Sequence, residues 1–217
     1  MARRKRTKSY YAMSRRRKNA LIAAFFFFLL PLAMVVDRQL LRPARETVRT
    51  AAWASADRKR YHQQSFAVAE VVDGDTVDID AADGDQPTTR VRLIGVDTPE
   101  TKHPTVGPMY FGQEATAFTR RAAEGRRVTI LLDTVSAERD RYGRLLAYVL
   151  LPDGRVLNEE LIRNGFGYAD LRFEHGRFDD YVSLMDAGIA QKAGLWREVS
   201  RAQLPQWLRR ERPELLR

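Results

Sequence analysis

Acidic side chains gather around two short turns. Val72-Asp73-Gly74-Asp75-Thr76 is the first, and Val96-Asp97-Thr98-Pro99-Glu100 is the second. Each follows a run of strand-forming residues, so each places carboxylates at a strand end, where backbone carbonyls are also free. Oxygen donors of this kind suit hard cations, calcium or magnesium. Two strand ends brought together would let Asp75 and Asp97 share one ion, with the other positions left to water and substrate. The competing use is plain turn chemistry, which Asp-Gly serves well. Asp83-Gly84-Asp85 is read as a hairpin turn of that sort, and spacing alone does not choose between the two uses.

Two arginines stand beside these acids. Arg92 lies in the run that ends at Asp97, and Arg144 follows Tyr142-Gly143 just before Leu145–Leu151. A guanidinium next to a metal can clamp a phosphate with two parallel hydrogen bonds. The commoner use of an arginine on a strand is a surface ion pair, and that alternative stays open at this level. His62, His103 and His175 are scattered without ligand spacing, so no histidine is assigned to the chemistry.

The elements that must position these groups follow from periodicity and punctuation. Phe66–Val72, Thr76–Ile79, Arg90–Val96, Arg127–Leu132 and Leu145–Leu151 read as strands. Gln113–Ala123, Glu159–Asn164 and Phe178–Lys192 read as helices, stopped by Gly125, Gly165 and Gly194, with Asn158 as the N-cap of the second. Five strands and three helices in this order suggest an α+β domain with a small barrel, of which the five-stranded oligonucleotide/oligosaccharide-binding barrel is one such architecture.

At this level of detail the sequence resembles the staphylococcal nuclease (micrococcal nuclease, thermonuclease) family. The resemblance is carried by DGDT at 73–76, RLIGVDTPETKHP at 92–104, RYGRLLAYV at 141–149 and LNEELIRNG at 157–165, and extends over about residues 66–197, to Leu195-Trp196. It implies a calcium-dependent phosphodiesterase acting on DNA or RNA, with 3′-phosphate products. Position by position, it assigns Asp75 and Asp97 as calcium carboxylates and Thr98 as a backbone-carbonyl ligand. Glu100 becomes the residue that orients or deprotonates the attacking water, and Arg92 and Arg144 become the phosphate-binding pair. Asp73 falls behind the ligands, and Arg141, Tyr142 and Phe173 line the nucleotide site. The family has lysine where Arg141 stands. It has a pair of tyrosines near the base where this chain has Leu171 and Phe173; a phenylalanine can stack on a base and a leucine cannot. The other readings weighed are a non-catalytic nucleic-acid-binding barrel and a metal-dependent hydrolase of another phosphodiester.

Charge must be divided before it is interpreted. The 217 residues carry a formal net charge of +9, but nine basic and no acidic side chains lie in residues 1–18. Residues 61–196 hold 15 basic and 22 acidic side chains, a net of −7. No broad positive face is therefore available to hold nucleic acid; local arginines and an ion must do it. With no cysteine, disulfides, thiolate metal sites and cysteine nucleophiles are excluded.

The expected organisation has five parts. Residues 1–19 form a basic cytoplasmic tail, and residues 20–36, ALIAAFFFFLLPLAMVV, form a transmembrane signal anchor. Residues 37–64 are a linker, 65–197 the barrel domain, and 198–217 a solvated basic tail. Seventeen uncharged residues span about 25 Å, at the short end for a bilayer helix. The basic flank sets the amino terminus in the cytoplasm and the barrel outside. A cleaved signal peptide, giving a secreted protein, is the alternative. No protein partner is inferred, and the catalytic domain is expected to be monomeric.

Overall fold

The structure is a computed structural model that describes residues 56–101 and 107–215. These belong to one compact unit, Ala54–Arg217. The expected membrane segment, 20–36, lies outside the described residues.

Five strands close into a barrel in the order β1-β2-β3-β6-β5. They are β1 (Gln64–Asp73), β2 (Thr76–Ile79), β3 (Thr89–Leu93), β5 (Arg127–Leu131) and β6 (Leu145–Leu150). All neighbours are antiparallel except β3 and β6, which run parallel. Alternation along each strand fills the barrel: Val91 and Leu93 point inward with Val77, Ile79, Ile130, Ala147 and Val149, all essentially inaccessible to solvent. The same alternation sends Arg90 and Arg92 outward. Arg90 stays on the surface against Asp78, while Arg92 is covered by the two acidic turns.

The run read as one strand over Arg90–Val96 is interrupted. A bend at Ile94-Gly95 separates β3 from a two-residue strand β4 (Val96–Asp97), which pairs with β7 (Tyr168–Ala169) outside the barrel. Gly95 has φ of +73°, and a Cβ there would collide with the His175 ring. Only glycine supplies that turn without strain. His175 itself is buried and hydrogen-bonded to Tyr148 at 3.1 Å, which makes it a packing residue of this bend.

Three helices cover the barrel as expected: α1 (Gly112–Ala123), α2 (Leu157–Arg163) and α3 (Phe178–Ala190). Asn158 is not the N-cap of α2. Val156 occupies that position, and Asn158 lies in the first turn with its side chain driven fully into the interior. Its Oδ1 accepts from the Val149 N–H at 3.0 Å, and its Nδ2 donates to the carbonyls of Ile94 at 2.9 Å and Ala147 at 3.1 Å. One amide thereby ties α2 to β6 and to the bend that launches Asp97.

Both flanks of the domain differ from expectation. Residues 56–61, read as linker, are helical; Tyr61 is fully buried and bonds Thr89 at 3.0 Å, and Asp57 pairs with Arg139. The segment after residue 198, read as a solvated tail, folds back instead. It forms a short turn of 3₁₀-helix (Arg201–Gln203) and α4 (Gln206–Glu211), and buries Leu204, Trp207, Leu208 and Leu215 against the core. Four apolar side chains among arginines are enough to dock a segment whose polar groups stay in water.

Replacing Asn158 by Ala leaves the Val149 N–H without its acceptor inside the protein, and is expected to cost roughly 2–4 kcal/mol. Asn164→Ala, at an exposed helix end, is expected to stay within about 0.5 kcal/mol. Urea unfolding midpoints of the two variants measure the difference; equal midpoints would show that the buried amide carries no such weight.

Candidate active site

The site is assembled where the β1–β2 turn, the end of β3 and the β3–β4 bend meet. Register does most of the positioning. Thr76 pairs with Arg92 across β2 and β3, so Asp75, one residue earlier, sits beside the Arg92 side chain. The Asp75 carbonyl accepts the Leu93 N–H at 2.9 Å, which fixes the turn to the strand end. The bend at Gly95 then reverses the chain and returns Asp97 to the same place. The Arg92 guanidinium lies between the two, paired with Asp75 and, at 2.6 Å, with Asp97 Oδ1.

Asp75 is held on its other side by Thr98, whose N–H and hydroxyl donate to Oδ2 at 2.8 and 3.0 Å. The Thr76 hydroxyl donates to Oδ1 at 3.0 Å. Such close contact explains Gly74: a Cβ there would lie 2.6 Å from the Thr98 hydroxyl oxygen. Asp73 has other partners. Its Oδ1 accepts from Thr101 at 3.1 Å and Thr116 at 2.9 Å, binding the second turn and α1 to the first turn. The Thr119 hydroxyl donates to the Gly74 carbonyl and completes the same attachment.

Glu100 borders the cleft. Burial, followed by the charges of Asp75, Asp73 and Asp97, pushes its carboxyl up to about 7. Asp97 is also raised above its ordinary value: burial outweighs the opposing pull of Arg92. Burial would lower Arg92, but Asp75 and Asp97 together hold it above its usual value. Asp73, Asp75, Asp97, Glu100 and Asp170 thus interact in a volume where Arg92 and Arg172 are the cations that oppose them.

That excess of negative charge, with donors that are all oxygen, fits a hard divalent cation. Asp75 and Asp97, the carboxylates expected to share one, here both pair with Arg92. Among the described residues, no group of three or more carboxylate or imidazole side chains is placed to hold a metal ion. A cation here would need a backbone carbonyl, water or substrate to complete its shell.

The remaining predicted residues lie along the adjoining surface. Arg92 is level with Leu146 across the parallel β3–β6 pair, and Arg144 lies two residues before Leu146, just outside the strand. Arg144 is anchored to Asp140 at 2.7 Å and stacks over Tyr142 at 5.5 Å; Arg141 covers the same ring at 4.7 Å. Tyr142 and Phe173 are 68% and 66% exposed, unusually high for rings that could be buried. Phe173 has Arg172 over its ring at 5.6 Å. Leu171, by contrast, packs partly against the core.

Sequence reasoning missed three contributors. Arg172 pairs with Asp170 and reaches Asp97 at 3.2 Å. Trp207 of α4 donates its indole N–H to Asp97 Oδ2 at 2.9 Å, and its ring lies 4.5 Å from the Arg172 guanidinium. Arg209 follows on the same helix. Together they line a cavity of about 710 Å³ with Asp97, Thr98 and Glu100. Leu204, Trp207 and Leu208 at helical spacing were the available signal, muted because α4 is less than two turns long.

Residues 90–198 match the family described as staphylococcal nuclease homologue. The chain is 41% identical over 115 residues to a thermonuclease of Staphylococcus hyicus, a stretch covering 53% of this chain and 64% of that one. It is 42% identical over 106 residues to a thermonuclease of Staphylococcus intermedius, covering 49% and 60%. It is 30% identical over 146 residues to an uncharacterized endonuclease of Escherichia coli, covering 67% and 84%. The chain thus spans just under two thirds of the length of the two thermonucleases.

Trp207→Phe keeps a ring against Tyr168 and Arg172 but removes the donor to Asp97. The expected result is a folded protein whose divalent-cation affinity falls about 10–100-fold, as for other partners that orient metal ligands. Titration with terbium, read by luminescence, measures it. Unchanged affinity would mean that the indole only fills space.

Proposed function

Because the chain belongs to the staphylococcal nuclease homologue family, we propose that it is a calcium-dependent nuclease that hydrolyses phosphodiester bonds of DNA or RNA and leaves 3′-phosphate ends. The observation that carries this reading is the placement of Arg92 between Asp75 and Asp97, at a cleft bordered by Glu100.

Each residue then has a task set by the charge that develops. Water attacking an anionic diester builds further negative charge on a five-coordinate phosphorus. Arg92 and Arg144 donate hydrogen bonds to the oxygens that gain it, from positions fixed before substrate arrives. Asp75, Asp97 and the Thr98 carbonyl would hold calcium, which supplies positive charge at a phosphate oxygen. Glu100 accepts a hydrogen bond from the water and orients it in line with the leaving oxygen. Arg141, Tyr142 and Phe173 bind the nucleotide: the exposed rings offer faces on which a base can stack, at about 1–3 kcal/mol per base.

Arg144→Ala is the cleaner test of this arrangement. Arg144 is partly exposed, and its partner Asp140 keeps the N–H donors of Tyr142 and of residue 144 when the guanidinium is lost, whereas Arg92→Ala removes the cation shared by Asp75 and Asp97. Arg144→Ala is expected to lower kcat about 10²–10³-fold on an oligonucleotide substrate while the fold is kept. Removal of calcium with a chelator is expected to abolish cleavage. Full activity in chelator, or in the Arg144 variant, would overturn the proposal.

We also propose that residues 20–36 anchor the chain in a membrane, with the amino terminus cytoplasmic and the nuclease domain outside. The support is the uncharged run itself, with nine basic residues before it and Asp37 after it. In bacterial cells expressing the full chain, the protein is expected to resist carbonate extraction from membranes and to be digested by protease added outside the inner membrane. A soluble product beginning downstream of residue 36 would instead mean that the segment is a cleaved signal.

A further inference from the structure

The segment after residue 198 lies beyond the stretch that matches the family, yet it supplies one wall of the cleft. Two arginines line that cavity, Arg172 and Arg209. Arg172 is neutralised by Asp170 at 2.7 Å and Asp97 at 3.2 Å. Arg209 is different. Its guanidinium has no hydrogen bond or ion pair with any described residue, and its Nε is shielded from solvent with no acceptor. The residue is only partly exposed, so its head is not simply extended into water.

This contrasts with the other cationic groups near the site. Arg92 is paired with Asp75 and Asp97, and Arg144 with Asp140. A role in balancing the end of α4 would fall equally to Arg210, which is exposed and does not line the cavity. An unpaired guanidinium turned into a cleft lacks an anion, and the anion chemistry of this cleft is phosphate. The rigid docking of α4 through Trp207 and Leu208 holds Arg209 in place before any ligand arrives.

We propose that Arg209 binds a backbone phosphate of the nucleic-acid strand that flanks the one being cut. This rests on the reading of the site as a nuclease. Arg92 and Arg144 serve the scissile phosphate, and Arg209, on the cavity wall built by the segment after residue 198, holds the strand in register. The segment beyond residue 198 thereby makes the enzyme favour substrates longer than a single phosphodiester.

The test uses the full chain and two substrates, a thymidine dinucleotide with one phosphodiester and a thymidine hexanucleotide. Arg209→Gln is expected to raise KM for the hexanucleotide about tenfold, with kcat within twofold, and to leave the dinucleotide unaffected, the pattern of a lost binding contact. Arg209→Lys is expected to restore part of the affinity, and Arg210→Gln to behave as the parent. Thermal melts of all three check folding. Equal KM values for parent and Arg209→Gln on the hexanucleotide would overturn the inference while leaving the nuclease reading intact. If the parent cleaves neither substrate, the nuclease reading fails. Fluorescence anisotropy of the hexanucleotide in chelator then decides the inference by itself. The slope of log affinity against log salt is expected to fall by about 0.7 on losing one single-strand phosphate contact, and an unchanged slope would overturn it.

Discussion

The Arg92 guanidinium, drawn between carboxylates from two separate turns, is the contact around which this domain is organised. It sits on the outer face of the barrel, where alternation along β3 would ordinarily leave an arginine in solvent. The two turns cover it. Buried charge of this kind is a poor source of net stability, because desolvation offsets most of the attraction. Its cost is tolerable only while every charge keeps a partner. Asp75 therefore accepts from the Thr98 amide and hydroxyl and from Thr76, and Asp97 from the Trp207 indole. Removing any member exposes the others to the full penalty, so turns, strand end and α4 constrain one another through one shared group.

The same cluster is electrostatically incomplete. The rise of Glu100 to about 7 and the upward shift of Asp97 come first from burial, with neighbouring acids adding to it. Structural ion-pair networks tend to settle near neutrality. An excess of carboxylate that persists in a cleft fits the cation proposed for it. The threonine hydroxyls around it act in the same direction, since they orient the acids without adding charge.

Much of this was legible in the sequence. The strands announced themselves through β-branched runs punctuated by Asp-Gly and Pro-Asp-Gly, and the acids stood at their ends. What stayed hidden was hidden for identifiable reasons. Thr76, Thr116 and Thr119 read as strand or helix residues, and Thr98 as a turn residue valued only for its carbonyl, because a hydroxyl carries no positional signature until a partner is known. Gly95 lay inside an apolar run that looked continuous, and only the left-handed φ shows that the strand must break there. Asn158 looked like a cap because asparagine before a helix usually is one; its burial depends on the Ile94 bend, 64 residues away.

The carboxyl-terminal segment is the largest departure, and it alters how the site should be understood. Arginines around a few apolar residues resemble a solvated tail in one dimension. In three dimensions Trp207 spans 110 residues of sequence to reach Asp97, and its ring faces Arg172 and meets Tyr168 edge-on. Asp97 is thus held by Arg92 from the barrel and by Trp207 from outside it. A carboxylate fixed from both sides keeps one orientation, which the proposed cation would need in the absence of a full cage. The segment is short and its helix has less than two turns, so it cannot be stable alone. It is ordered by the site it helps to build, and the order of that site depends on it in turn.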